Sequence, residues 1–354
     1  MMKEAINFAG PKVKIVESPI PEPKDSQVLI KVIVSGSNPK DWKVPDIAKT
    51  YDGPDNNVLG KSKHGINQGD DIAGIVEKAG AGVVEFKAGD RVAAFHEMSS
   101  PGGSYAEYAL AWSWTTFHLP EKTSFEEAAT IPLAALTAVE ALYRHLQLPQ
   151  PWTPAVAPLP FVVYGASTAV GAFAVKLARA SNIHPIIAIA GKGTPYVETL
   201  VDRSKGDMVI DYRDGPDEAI KQIRKGLEGI QAEVRHGLDP GIGPQSARLL
   251  KEIVVPGGAI NLVLPSDFDV SPAVKTVTSV GAAHNQDNWG DSRDLAFVFC
   301  RYFSRGLQMG TFSGHPHKVR PGGLEAVEQA LKDLKEGRAS AVKYVFRISD
   351  TPGI

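Results

Sequence analysis

Residues 165 to 171, Gly-Ala-Ser-Thr-Ala-Val-Gly, are small or hydroxyl-bearing and follow an apolar run, Phe161-Val-Val-Tyr164. Beyond them Val170, Ala174, Leu177 and Ala178 recur at helical spacing. Strand, tight turn and helix in that order open a dinucleotide-binding βαβ unit. Its pyrophosphate lies against backbone N–H groups at the helix N-terminus, where the peptide dipoles favour an anion. Tyr164, Ala166, Ser167, Thr168, Ala169 and Val170 are the residues placed to meet it. Of the three glycines of G-x-G-x-x-G only Gly171 stands, with Ala166 and Thr168 at the other two places. On the turn alone, an ordinary buried strand and helix fits equally well.

Cofactor choice is written in the next strand. A fold that prefers NAD ends that strand on an Asp or Glu for the ribose 2′-hydroxyl. Here the strand ends Ile189-Ala-Gly191-Lys192-Gly, with no acid. Lys192 is placed for a 2′-phosphate, which points to NADPH; a solvated lysine is the alternative. Leu264 and the stretch Gly281-Ala-Ala283-His-Asn285 follow later strands and are placed near the nicotinamide half. Lys40 either anchors an anionic substrate or is a solvated loop charge. His64, His315 and His317 are isolated, and the single cysteine, Cys300, excludes a disulfide framework or a multi-cysteine metal site.

The elements that must hold these residues alternate. Pro185–Ala190, Val209–Asp211, Ala259–Val263 and Val277–Val280 read as strands, with helical stretches near 195–205, 216–228 and 244–252 between the earlier ones. That pattern predicts an α/β, doubly wound parallel sheet. Before it, residues 1 to about 125 carry short strand candidates (Val13–Val16, Gln27–Val34, Asp71–Lys78, Arg91–Phe95, Tyr105–Ala109) separated by Gly and Pro turns, which predicts a partly open β-barrel. Residues 41–69 read as a long surface loop. A helix capped by Ser124 and Glu127 should follow, interrupted at Pro132. Five prolines in 149–160 make a connector. Helices are expected over 291–306 and from Gly322 to Gly337. The alternating Val342–Ile348 should return as a strand to the N-terminal domain. Trp289, Phe297, Phe299, Tyr302 and Phe303 either wall a flat pocket or fill a core.

With 354 residues the chain is long enough for two domains. A net charge of −2 gives no reason to expect nucleic acid or an anionic membrane as partner. The start lacks a secretory core and no run is long enough to span a membrane, so a soluble, cytoplasmic protein is expected. A monomer and a homodimer are both open.

Six motifs fall in an order that resembles the medium-chain dehydrogenase/reductase superfamily. They are Ser35-Gly-Ser-Asn-Pro-Lys-Asp41, Gly69-Asp-Asp-Ile-Ala-Gly74 with Gly80 and Gly82, Phe86-Lys-Ala-Gly-Asp-Arg-Val92, Gly102-Gly-Ser-Tyr-Ala-Glu-Tyr108, Ile131-Pro-Leu-Ala-Ala-Leu-Thr-Ala138 and the nucleotide turn itself. The resemblance implies a GroES-like β-barrel catalytic domain over 1–125, completed by 300–354, and a Rossmann-type NADP-binding domain over 126–299. The zinc alcohol dehydrogenases of that superfamily place a Cys in the first motif and a His-Glu pair in the second. This sequence has Asn38 and Asp70-Asp71, so it looks like the zinc-independent branch of quinone oxidoreductases and trans-acting enoyl reductases, with no metal site. By the same resemblance Asn38 matches an active-site Asn, Tyr51 lies where enoyl reductases carry a proton-donating Tyr, and Thr137 matches a helix position beside the nicotinamide. Tyr212-Arg213 match a pair that NADPH-dependent reductases set against the 2′-phosphate and adenine. An Asx-turn before Pro39 remains open for Asn38, and a bond to a carbonyl one turn back for Thr137.

Without a metal, negative charge must be met by hydrogen-bond donors, which suits hydride addition to an activated C=C of an enone, enoyl thioester or quinone. Reduction of an aldehyde is a second reading. A nucleotide-binding protein without turnover is the third.

Overall fold

The computed structural model describes residues 1–241, 243–284 and 291–354. Asn285 and Trp289 lie outside them. The chain divides into two compact units, Met1–Leu133 with Gly281–Ile354, and Ala134–Val280. Among the described residues no helix is long and apolar enough to cross a membrane.

The first unit opens with an antiparallel pair, β1 (Met2–Phe8) and β2 (Lys12–Ser18). β1 was not expected, because its Lys3, Glu4 and Asn7 blur the alternation that marks β2. β3 (Gln27–Gly36) is the centre of a seven-stranded sheet with β4 (Asp71–Ala79), β5 (Arg91–Phe95), β6 (Tyr108–Trp112) and β7 (Thr116–His118). Breaks in the β3–β4 register at Leu29/Ile30 and Val32/Val34 mark bulges, which bend a strand and increase its twist.

Residues 41–69 are not a plain loop. They hold α1 (Lys40–Ala48) and α2 (Val58–Ser62). α1 contains Pro45 and buries only Asp41, Pro45 and Ala48, so it lacks the apolar stripe by which a helix shows in sequence. α2 is fixed by Asn57, whose side chain accepts the Gly60 N–H at 2.9 Å. α3 (Phe125–Ala128) is capped by Ser124, whose Oγ accepts the Glu127 N–H at 3.1 Å. The Glu127 carboxylate accepts from the Gly314 N–H instead of closing the box.

Pro132 starts the next helix, α4 (Pro132–Val139), where its missing N–H costs nothing. α4 runs on into a π-helical turn, Glu140–His145. Then β8 (Phe161–Tyr164), α5 (Ala169–Ala180), β9 (Ile186–Ala190), α6 (Thr194–Glu198), β10 (Met208–Asp211), α7 (Pro216–Gly226), β11 (His236–Asp239), α8 (Pro244–Ile253), β12 (Ala259–Leu262) and β13 (Val274–Val277) alternate as expected of a doubly wound fold. The six strands form a parallel sheet in the order β10-β9-β8-β11-β12-β13. The order reverses between β8 and β11, the place where such folds bind ligands. β11 was not foreseen, since His236-Gly-Leu-Asp has one large apolar residue. The core of this unit includes Val162, Ile187, Ile189, Leu250 and Ile260.

The chain then returns to the first unit with α9 (Asp291–Met309), β14 (His317–Val319), α10 (Val327–Lys335) and β15 (Lys343–Arg347). β15 lies between β14 and β3 and runs antiparallel to β3, the return that its alternation predicts. Leu324, Val327, Leu331 and Phe346 join Ile30, Ile72 and Tyr105 in one core. Phe299 and Phe303 are fully buried, while Phe297 is exposed.

Candidate active site

In the first unit three carboxylates and two ammonium groups meet where four elements begin or end. Asn38 follows β3, Lys40 and Asp41 open α1, Asp70 precedes β4 and Asp71 opens it, and Lys343 opens β15. Asn38, Asp41, Asp70, Asp71 and Lys343 are all buried, and Lys40 keeps 12% of its side chain exposed. Lys40 is therefore no solvated loop charge. Its Nζ is 2.5 Å from Asp70 and 3.3 Å from Asp41, and donates to the Gln68 carbonyl at 2.6 Å. Burial works against the Lys40 charge, but Asp70 and Asp41 outweigh it and raise its pKa.

Asp41 Oδ2 accepts the Asn38 N–H at 2.8 Å and the Tyr105 hydroxyl at 2.5 Å. Burial pushes its carboxyl up to about 7, against Lys40 and with Asp70 adding like charge. Burial likewise raises Asp70 to about 6, Lys40 opposing it. Tyr105 is held well above the usual phenol range, first by burial and then by Asp41.

The Asn38 backbone is thus turned towards α1, but its side chain is not spent on an Asx-turn. Nδ2 donates to Asp71 Oδ2 at 2.6 Å, and Oδ1 accepts from Lys343 Nζ at 3.1 Å. Lys343 in turn is ion-paired with Asp71, whose other oxygen accepts the Leu133 N–H at 2.7 Å. Of these, Lys343, Asp41 and Tyr105 were not singled out from sequence. Only a buried-strand position taken by a lysine, at the start of Lys343-Tyr-Val-Phe-Arg347, hints at the first. Among the described residues no group of three or more His, Cys, Asp or Glu is arranged to hold a metal ion.

Tyr51 stands apart from this cluster, between α1 and α2. Its hydroxyl accepts a hydrogen bond from Asn57 Nδ2. Gly53 packs beside it: a Cβ there would lie 2.2 Å from the Tyr51 hydroxyl, so the ring would have to shift to admit one. Thr137 lies buried in α4, in the second unit.

The second unit holds most of the residues read as nucleotide-binding. Gly165 turns out of β8 at φ +73°. Thr168 caps α5, its Oγ1 accepting the Gly171 N–H at 3.1 Å and donating to the Gly165 carbonyl at 2.8 Å. A Cβ at Gly171 would lie 2.3 Å from that carbonyl oxygen; this is the close approach that leaves the third glycine irreplaceable while Ala166 and Thr168 fit. The N–H groups of Ala169 and Val170 belong to the first turn, which has no intrahelical acceptors. Tyr164 and Tyr212 stack with centroids 5.8 Å apart, and a Cβ at Gly191 would press on the Tyr212 ring at 2.8 Å. Lys192 and Leu264 are exposed. Arg213 is forked onto Asp211, with contacts of 2.9 and 2.5 Å, and that pairing holds Asp211 down to about 2. Ala283 belongs to the first unit, buried, its carbonyl accepting from Trp114 Nε1 at 2.9 Å.

A small-residue turn at the switch point of a six-stranded parallel sheet, with a separate β unit carrying a buried polar cluster, defines a two-unit dinucleotide-binding architecture. Residues 24–121 match the alcohol dehydrogenase GroES-like domain family. The trans-enoyl reductase fsr4 of Gibberella fujikuroi is 45% identical over 329 residues, covering 91% of both chains. Among solved structures, an alcohol dehydrogenase superfamily protein from Novosphingobium aromaticivorans superposes with a TM-score of 0.77 at 20% identity, covering 98% of this chain and 99% of that one. The CurK enoyl reductase does so with a TM-score of 0.74 at 18% identity, covering 97% and 98%. The chain belongs to the medium-chain dehydrogenase/reductase superfamily, in its enoyl reductase branch.

Proposed function

We propose that this protein is an NADPH-dependent enoyl reductase that works without zinc, reducing the activated C=C of an enoyl thioester or related α,β-unsaturated carbonyl, with quinones as flat analogues. The observation that carries this reading is Asn38, a neutral amide donor fixed between Asp71 and Lys343. The donor set there suits an oxyanion better than a metal. It offers an amide beside carboxylates that are ion-paired with protein ammonium groups, and among the described residues no group of three or more His, Cys, Asp or Glu is arranged to hold a metal ion. Likeness to the fsr4 reductase over nine-tenths of both chains supports the same substrate class.

The turn at 165–171 fits a dinucleotide. Tyr164, Ala166, Ser167, Thr168, Ala169, Val170 and Gly191 would hold it, with Lys192 and Tyr212 towards the 2′-phosphate, and Leu264 and Ala283 towards the nicotinamide. Bound NADPH supplies the hydride. The chain's own part is to receive the charge that develops on the carbonyl oxygen. An amide nitrogen carries two hydrogens, and Asp71 takes one from Asn38, leaving the other for that oxygen. Tyr51 accepts rather than donates in its bond with Asn57, so its O–H remains to deliver a proton to the α-carbon. Thr137 would steady the nicotinamide. Lys40 acts as a strut between α1 and β4.

Absorbance at the NADPH band, followed with an enoyl thioester, an enone, a quinone and an aldehyde, tests the reading. Turnover of the conjugated substrates, unchanged by EDTA, is expected. Turnover of the aldehyde alone, or tight NADPH binding with no turnover at all, overturns it.

A further inference from the structure

The role of Lys343 is set by the pairing of β15 with β3. In that ladder Val345 faces Gly36 and Phe346 faces Ser35, and the Ser37 N–H donates to the Tyr344 carbonyl at 3.0 Å. Continued towards the start of β15, the register puts Lys343 across from Asn38. On the other edge of β3, Asp71 faces Gly36. Gly36 is the gap through which the two charges meet. A Cβ there would lie 3.1 Å from both Asp71 Cβ and Lys343 Cε, and 2.2 Å from the Ala129 carbonyl oxygen.

We propose that Lys343 is a positioning residue for the reduction: with Asp71 it locks the Asn38 amide in one orientation and so aims its second N–H at the substrate oxygen. This rests on Asn38 being the carbonyl donor. The lock follows from the signs of the partners. An ammonium can only donate, and a carboxylate without a proton can only accept. As placed, Oδ1 faces Lys343 and Nδ2 faces Asp71. A flipped amide would set N–H against the ammonium and oxygen against the carboxylate, two repulsions in a buried site. Without the cation one of these repulsions vanishes, and only the bond to Asp71 still holds the amide in that orientation.

The test combines kinetics with a signal that needs no turnover. Lys343→Met keeps an unbranched stem and removes the charge. With crotonyl thioester and NADPH, kcat should fall about 10–100-fold, part of what loss of one oxyanion donor costs. KM and the NADPH Kd should stay within about threefold, and Lys343→Arg should recover most of the loss. Added to Asn38→Ala, Lys343→Met should lower kcat no further, because it acts through Asn38. In the ligand-free protein, 15N-asparagine labelling should show two distinct, slowly exchanging Asn38 amide protons whose exchange with solvent is faster in Lys343→Met. Should that variant not fold, Lys343→Met with Asp71→Asn removes both charges and should show the same mobile amide and low kcat.

Wild-type kcat in folded Lys343→Met, independent losses in the two-site cycle, or an unchanged amide signal in that variant would each overturn the positioning role. A wild-type protein that reduces no enoyl thioester while its Asn38 amide is locked by Lys343 would instead sink the enoyl reductase reading.

Discussion

Asp41, Asp70 and Asp71 face two lysines, so the cluster holds one more carboxylate than ammonium. Burial makes that excess costly, and Asp41, pushed up to about 7, is the group that relieves it by taking a proton. The sign follows from linkage. An acid whose folded pKa exceeds its ordinary value near ~4 binds its proton more tightly when native, so stability falls as pH rises from ~4 through about 7. Lys40, Asp70 and Tyr105 face Asp41 and leave that direction in place. Thermal unfolding of the wild type should therefore shift to lower Tm between pH 5 and 8; Asp41→Asn should flatten the fall above pH 6, while Asp70, raised to about 6, still contributes below it; parallel Tm profiles for the two proteins would contradict it. Chemistry at the same scale predicts that Asn38→Ala loses about 10²–10³ in kcat, and that Tyr51→Phe loses about 10²-fold, in each case with NADPH binding retained by fluorescence titration. Asn38 and Asp70-Asp71 were legible because they stand at motif positions. Lys343 was not, because its partners Asp71 and Asn38 lie 272 and 305 residues away in sequence and only strand register joins them.

Between elements, the fit depends on small residues at close approaches. Gly36→Ala would drive a methyl into the Ala129 carbonyl and crowd the Lys343–Asp71 pair, so a destabilisation of about 1–3 kcal/mol is expected in urea unfolding. At the nucleotide turn, Thr168→Ala removes the cap of α5 and should cost about 1 kcal/mol. Strong periodicity made β3, β4, α5, α7 and α8 readable. The helix α1 was not, because Pro45 and a buried Asp41 replace the apolar stripe that would have announced it. β11 and β1 failed for a related reason: polar residues in short strands, whose burial is decided by neighbours rather than by their own alternation.

At the scale of the whole molecule, the order of strands and helices was enough to predict a β unit and a doubly wound α/β unit. It could not choose the nucleotide, which depends on a few exposed residues. Lys192 is exposed after β9, while Arg213 is already forked onto Asp211. Lys192→Ala should therefore raise the KM for NADPH about tenfold, as expected for a lost charge-assisted hydrogen bond, and leave that for NADH nearly unchanged. Equal effects on both would remove Lys192 from the 2′-phosphate site. The central claim, hydride addition to a conjugated C=C, is tested most directly by locating the transferred atom. With NADPH carrying deuterium at the nicotinamide C4 and a crotonyl thioester as acceptor, mass spectrometry should find the label on the β-carbon of a saturated thioester. Label on the carbonyl carbon of an aldehyde or alcohol, or none transferred to any product, would contradict the account.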